Sequence, residues 1–357
     1  MPAPNILLRN VPNIRKNSTK APLWSTKLGE RDGTRPDVIE NINHPVAYRG
    51  LIFNPDWANA PYWSNEYAEQ RYARNDGTAD QQDIDNIPPG CDFYYTTERW
   101  HPNGFKNGSG AVVGSKPVAQ ITTEQARLPG DKCLLTYDES YGTGSQWGSD
   151  SSVTREIPVE YPEIYVEYWL KFDPNFVFQD FIEGSGQYMV KTARIGRFFG
   201  SSSDPRYAYD PLTHGPYVIV DFGSYTAGSG NNYFRMRLSM RSNPYQDNIG
   251  PLTAYSANLD TVTDFLLDVE YHKVGIELKM NSAANELDGV ARVYWDGAVL
   301  AEDASVNWNQ DVNAVGIGWN TITLGGNASN VPYPAVDQHE QWWALANPLA
   351  YYGKPGG

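Results

Sequence analysis

Residues 163–173 read EIYVEYWLKFD, and the phase of this stretch decides the fold. Ile164, Val166, Tyr168, Leu170 and Phe172 alternate with Tyr165, Glu167, Trp169 and Lys171. Strand side chains point to opposite faces in turn, so an apolar set on one phase and a polar set on the other predicts a half-buried strand. The same period returns three times. Val218, Val220 and Phe222 alternate with Tyr217, Ile219 and Asp221 over 217–222. Phe234, Met236, Leu238 and Met240 alternate with Tyr233, Arg235, Arg237, Ser239 and Arg241 over 233–241. Val274, Ile276, Leu278 and Met280 alternate with Lys273, Gly275, Glu277 and Lys279 over 273–280. Residues 289–303, GVARVYWDGAVLAED, are two β-rich runs around Asp296–Gly297, a dipeptide suited to a type I′ hairpin loop. Strands at this density without long helices predict an all-β fold, a sandwich or a barrel, over residues 111–357.

Upstream the signal changes. Residues 1–45 are rich in Pro, Asn and Lys/Arg with little periodicity, and read as an extended arm. Residues 46–110 read as a loop-rich lead-in packing on the sandwich, with a short helix expected near 63–74 among Trp63, Tyr67 and Tyr72. Through residue 35, Arg9, Arg15, Lys16, Lys20, Lys27, Arg31 and Arg35 face only Glu30 and Asp32. That segment carries +5 and the remainder −19 of a net −14. Such an arm suits docking onto an acidic assembly partner or a sister subunit in a homo-oligomer; a solvated tail has the same composition.

The acidic body argues against nucleic acid as a partner. No run approaches a membrane span, and MPAPNILLRNVPNIRKN lacks the basic-then-apolar pattern of a secretory signal. Cys91 and Cys133 suit one disulfide or, at least as well, two free buried thiols, and no Cys/His spacing suggests zinc. No cofactor is expected. Calcium is conceivable at the Asp76 to Asp80 loop, though without EF-type spacing.

The outward phase of the strands is where chemistry is expected. Tyr233, Arg235, Arg237 and Arg241 form a basic-aromatic ladder; Trp169 and Lys171, with Glu277 and Lys279, supply further rungs. Arg292 and Tyr294 could add another rung. Guanidinium forks beside aromatic rings suit a groove for sugar hydroxyls, uronates or sulfates; a salt-bridged face without a ligand has the same residues. A second candidate is GQYMVKTARIGRFFG, residues 186–200. β-Elimination of a uronan needs a cation on the carboxylate, a base and an acid. Lys191 or Arg194, His214 and Tyr188 could fill those roles in that order, whereas His272 is expected to be structural. Glycosidase chemistry needs paired carboxylates, which the outward phases lack.

EIYVEYWLKFDPNFVF followed by KTARIGRF resembles the opening strands of the concanavalin A-like lectin/glucanase superfamily, in its polysaccharide-lyase-like branch. YHKVGIELKMNSAANELDGVARVYWDGAVL resembles a later strand–turn–hairpin of that branch, and the last strand is expected near EQWWALANPLAYY. The resemblance covers roughly residues 110–352 and implies that residues 111–357 form an antiparallel jelly-roll β-sandwich, with a concave sheet where Arg, Lys and Tyr hold a glycan. The Q-(I/V)-H and R-(T/S)-E-(L/V)-R motifs of family-7 alginate lyases do not occur. The leading expectation is therefore a non-enzymatic protein facing a polysaccharide or cell-surface glycan, a bacteriophage virion component located in the virion or released by lysis. The alternative is a polysaccharide lyase acting on an acidic glycan.

Overall fold

The computed structural model describes residues 51–55, 57–65, 71–74, 87–96, 119–140, 147–174, 176, 189–197, 215–226, 232–242, 248–255, 268–313, 316–329 and 339–353. The expected arm, residues 1–45, lies outside them, as does the Asp76 to Asp80 loop.

Among the described residues the structure is all strand, in two antiparallel sheets. The lead-in supplies β1 (Leu51–Phe53), β2 (Trp63–Asn65), β3 (Arg71–Arg74) and β4 (Phe93–Thr96). Next come β5 (Ala119–Thr122), β6 (Cys133–Ser140), β7 (Trp147–Tyr161), β8 (Glu163–Phe172) and β9 (Met189–Gly196). They are followed by β10 (Tyr217–Thr226), β11 (Asn232–Arg241), β12 (Asn248–Tyr255) and β13 (His272–Lys279). The chain continues through β14 (Gly289–Trp295), β15 (Ala298–Val306), β16 (Trp319–Ser329) and β17 (His339–Tyr351). The first sheet runs β15-β14-β13-β8-β17-β6-β5-β2, with β1 also on β17; the second runs β12-β11-β10-β9-β16-β7-β4-β3. The chain crosses between the sheets at β6–β7–β8–β9 and again at β15–β16–β17, the alternation that makes a sandwich a jelly roll. This is the architecture that the superfamily resemblance implies.

The expected strands form where their phase put them. Ile164, Val166, Tyr168, Leu170 and Phe172 of β8 are buried, and they meet Val218, Val220 and Phe222 of β10 in one core. Phe172 lies edge-on to Phe222 at 5.9 Å between ring centroids, and Phe222 edge-on to Trp295 at 6.1 Å, so aromatic rings bridge the two sheets. Each such side chain contributes about 1.5–3 kcal/mol by leaving water. The hairpin turns at Asp296 and Gly297 with φ of 48° and 89°, the paired left-handed conformations a type I′ turn demands. Asp296 also accepts from Lys273 N at 2.8 Å and meets His272 Nδ1 at 2.8 Å, while the His272 ring stacks on Trp295.

The expectation of a helix over 63–74 is corrected: strands β2 and β3 occupy its two ends. Edge positions beside β5 and β4 offered backbone partners there, and cross-strand pairing overrode a weak helical spacing. Cys91 and Cys133 are free thiols, and burial pushes the Cys133 thiol up to about 12.

Candidate functional site

The register of the second sheet sets three of its middle strands side by side. Lys191 of β9 lies opposite Asp221 of β10, and Asp221 opposite Arg237 of β11. In the next row Ile219 stands between Arg194 and Ser239, and Arg194 lies opposite Thr323, itself opposite Thr154. A third row holds Gly196, Tyr217 and Arg241. Met236, Leu238 and Met240 fill the core, so Arg237, Ser239 and Arg241 take the outward phase of β11. Lys191 and Arg194 of β9 and Arg237 and Arg241 of β11 thus meet on one outward face, flanking β10.

Two guanidinium groups on this face are fixed in place. Arg237 Nε donates to both carboxylate oxygens of Asp221, at 3.0 and 2.9 Å, and Ser239 Oγ donates to Oδ2 at 3.2 Å. Arg194 Nη1 donates to Ser152 Oγ at 3.1 Å, reaching from β9 across β16 to β7. Thr154 and Thr323 share a hydroxyl hydrogen bond of 2.9 Å beneath that reach. Asp221 is 0% exposed and Arg194 2%, so both charges sit where the dielectric is low and each contact is strong. The Tyr217 ring lies over Gly196, where a Cβ would come within 2.9 Å of its Cδ2; only glycine leaves the ring that place. The shape is set before any ligand arrives, which is the property a recognition site needs.

A β-bulge lies under this face. The β9–β10 register shifts between Val220 and Asp221, leaving Thr192 as the extra residue. Thr192 Oγ1 meets Tyr168 Oη of the opposite sheet at 2.9 Å, both fully buried. The bulge lets Lys191 keep the outward phase while Ala193 remains in the core.

The structure divides the expected ladder residues between the two sheets. Trp169 and Lys171 on β8, and Glu277 and Lys279 on β13, belong to the first sheet and face away from β11. Alternation tells inward from outward but not which sheet a strand joins. The polar groups on that side are occupied by neighbours. The Arg127 guanidinium lies 4.4 Å above the Trp169 ring, and Lys171 Nζ donates to Gln125 Oε1 at 3.3 Å, beside the rings of Tyr271 and Trp342. Glu277 is held by Arg292 at 2.8 Å and by the Tyr294 hydroxyl, while Arg292 also reaches Glu302 at 2.6 Å. Burial, followed by the bond to Glu277, pushes the Tyr294 hydroxyl up to about 12. Lys279 is exposed. Tyr188 and His214 lie outside the described residues; for Tyr233 and Arg235 only the backbone is described.

The residue that sequence reasoning passed over is Asp221. Its signal was present, a carboxylate in the outward phase of YVIVDFG, but its partner on β11 was not visible without the register. Among the described residues no group of His, Cys, Asp and Glu could hold a metal ion, and no helix is long and apolar enough to cross a membrane.

No protein-family model matches the chain, and no curated protein matches it. Solved structures resemble it distantly. β-Agarase A from Zobellia galactanivorans is 12% identical, with 83% of this chain and 97% of that one covered and a TM-score of 0.40. The marine PL-14 alginate lyase from Aplysia kurodai is 10% identical, covering 79% and 98%, with a TM-score of 0.40. Alginate lyase Aly36B is 11% identical, covering 81% and 96%, with a TM-score of 0.40.

Proposed function

We propose that the outward face of β9, β10 and β11 binds an acidic polysaccharide. The observation that carries this reading is the register that places Lys191, Arg237 and Arg241 on one face beside the buried Arg194, with the Arg237 guanidinium already anchored. Planar guanidinium groups pair with carboxylates through parallel hydrogen bonds, and serine and threonine hydroxyls beside them match sugar hydroxyls. An otherwise acidic protein that gathers cations on one sheet face is built to attract an anion there and repel it elsewhere. The test is titration of the full chain with a linear polyuronate and with an uncharged glucan of equal length. Binding of the polyuronate alone, weakened about tenfold by Arg241→Ala, is the expected result. Equal affinity for the uncharged chain would overturn it.

Binding without turnover is the leading form of this function, as an external structural protein. Placement in a bacteriophage particle draws its support from the basic residues through 35 against an acidic remainder. Co-purification with particles, lost on deleting residues 1–45, would test it. A lyase is the second reading, favoured by Lys191 and Arg194 standing on the same face as the β11 arginines. The appearance of unsaturated uronate ends, followed by ultraviolet absorbance, would decide for it; their absence at high protein concentration would decide against it.

A further inference from the structure

β15 ends the first sheet: one side bonds β14, and among the described residues no strand pairs the other. Such an edge is an open template for a further strand. Acids dominate around it. Residues 281–313, which carry β14 and β15, hold Glu286, Asp288, Asp296, Glu302, Asp303 and Asp311 against Arg292 alone, a net −5. Arg292 is already engaged by Glu277 and Glu302. Two copies therefore resist joining edge to edge, since Glu302 and Asp303 would meet their like. Acids alone do not account for the apolar side chains among them. Val299 is 54% exposed, Leu300 40%, Leu287 66% and Val312 70%. The turn bearing Leu287 and the segment bearing Val312 are tied together: Asn281 Oδ1 accepts from Asn309 N at 2.9 Å, and Asn309 O from Asn285 N at 2.8 Å. This surface suits a segment that is both basic and apolar.

We propose that the β15 edge is the seat of residues 5–20 of the same chain. NILLRNVPNIRKNSTK carries Arg9, Arg15, Lys16 and Lys20 with no acid, and Ile6, Leu7, Leu8, Val11 and Ile14 beside them. The cations answer the acids of the edge and the aliphatic groups cover Val299 and Leu300, while the backbone groups of β15 that face away from β14 gain partners. Pro12 fits this role, because a strand added to β15 becomes the last of the sheet and needs no donor on its outer side. Reach is ample. Leu51 pairs with β17, four places from β15 and about 19 Å across the sheet. The 30 residues between Lys20 and Leu51 span about 100 Å at full extension. Attachment within one chain supplies an effective concentration of about a millimolar, which favours this seat over the same seat on a second copy. Seated there, the basic stretch closes the edge against other chains.

The test is backbone hydrogen exchange of the full chain, reading the β15 amides that do not bond β14. At low ionic strength wild type should slow them about tenfold or more relative to an open edge. Sodium chloride at about 0.5 M should remove most of that protection by screening the charges. Arg9→Glu/Arg15→Glu/Lys16→Glu should lose it at low salt, while the amides of β8 and β13 keep theirs. Adding Glu286→Lys/Asp311→Lys to that variant should restore part of the protection. Where a variant lacks a cooperative melt, the salt series on wild type decides. β15 amides that exchange at the open-edge rate in wild type, or protection indifferent to salt and to charge reversal, would overturn the proposal. Protection that grows with protein concentration, alongside a doubled mass in sedimentation, would overturn it in favour of a second copy.

Discussion

Arg237→Met offers the sharpest test of how the face is held together. The guanidinium makes two charge-assisted contacts, at 3.0 and 2.9 Å, to a carboxylate with no exposure. Removing it takes both of those contacts from Asp221, while the Ser239 hydroxyl at 3.2 Å remains. Breaking a buried ion pair on one side costs about 3–5 kcal/mol. The Arg237 side chain is itself 17% exposed, so solvent screens part of the loss and the lower end, about 3 kcal/mol, is expected. The double variant Arg237→Met/Asp221→Asn removes the stranded charge as well and should recover most of that loss, ending within about 1 kcal/mol of wild type. Guanidinium unfolding followed by tryptophan fluorescence measures both. A single variant losing less than about 1 kcal/mol, or a double variant no better than the single, would refute the account of the pair.

Three further outcomes follow from the packing. Gly275→Ala would place a Cβ within 3.0 Å of Tyr165 Cζ, so the ring must shift; a loss of about 1–3 kcal/mol is expected by thermal unfolding, and a neutral change would contradict the geometry. Tyr168→Phe strands the Thr192 hydroxyl inside the core and should cost about 1–3 kcal/mol, with Thr192→Val in the same chain restoring part of it in a double-variant cycle. The Cys133 thiol, raised by burial from 9.0 to about 12, should resist thiol reagents at neutral pH until the chain is unfolded. Because its folded value lies above the unfolded one, its contribution is fully present below about pH 9 and is lost as pH rises through about 12, which alkaline unfolding curves of wild type and Cys133→Ala would show.

Some of this architecture could be read directly from the chain. The hairpin was legible because Asp296–Gly297 supplies the two left-handed residues that a two-residue loop requires, a purely local demand. The strand phases were legible because one residue of slip would turn Val274, Ile276 and Leu278 out of the core. Strand neighbours were not legible. The outward set of β8 and that of β11 have similar chemistry, yet β8 lies between β13 and β17, while β11 lies between β10 and β12. That choice is made by contacts far apart in sequence, and alternation carries no record of it. The candidate site suffered accordingly: Arg237 was recognisable as outward, whereas its bond to Asp221, sixteen residues earlier in the chain, depends on the register of β10 against β11.

The place of the last two strands has a consequence for how the protein is made. β16 stands between β9 and β7, and β17 between β8 and β6, so each sheet is two separate halves until these segments arrive. During synthesis the ribosome must deliver residue 319 and beyond before the second sheet can close, and residue 339 and beyond before the first can. Until then the open edges of β6, β7, β8 and β9 wait unpaired in the nascent chain, each a template for another chain's strand. A polysome-bound chain halted before residue 319 should therefore remain without a cooperative core and lean on chaperones. The face carrying Asp221 and Arg237, although its own strands are made earlier, is completed only when β16 slides in beside Arg194.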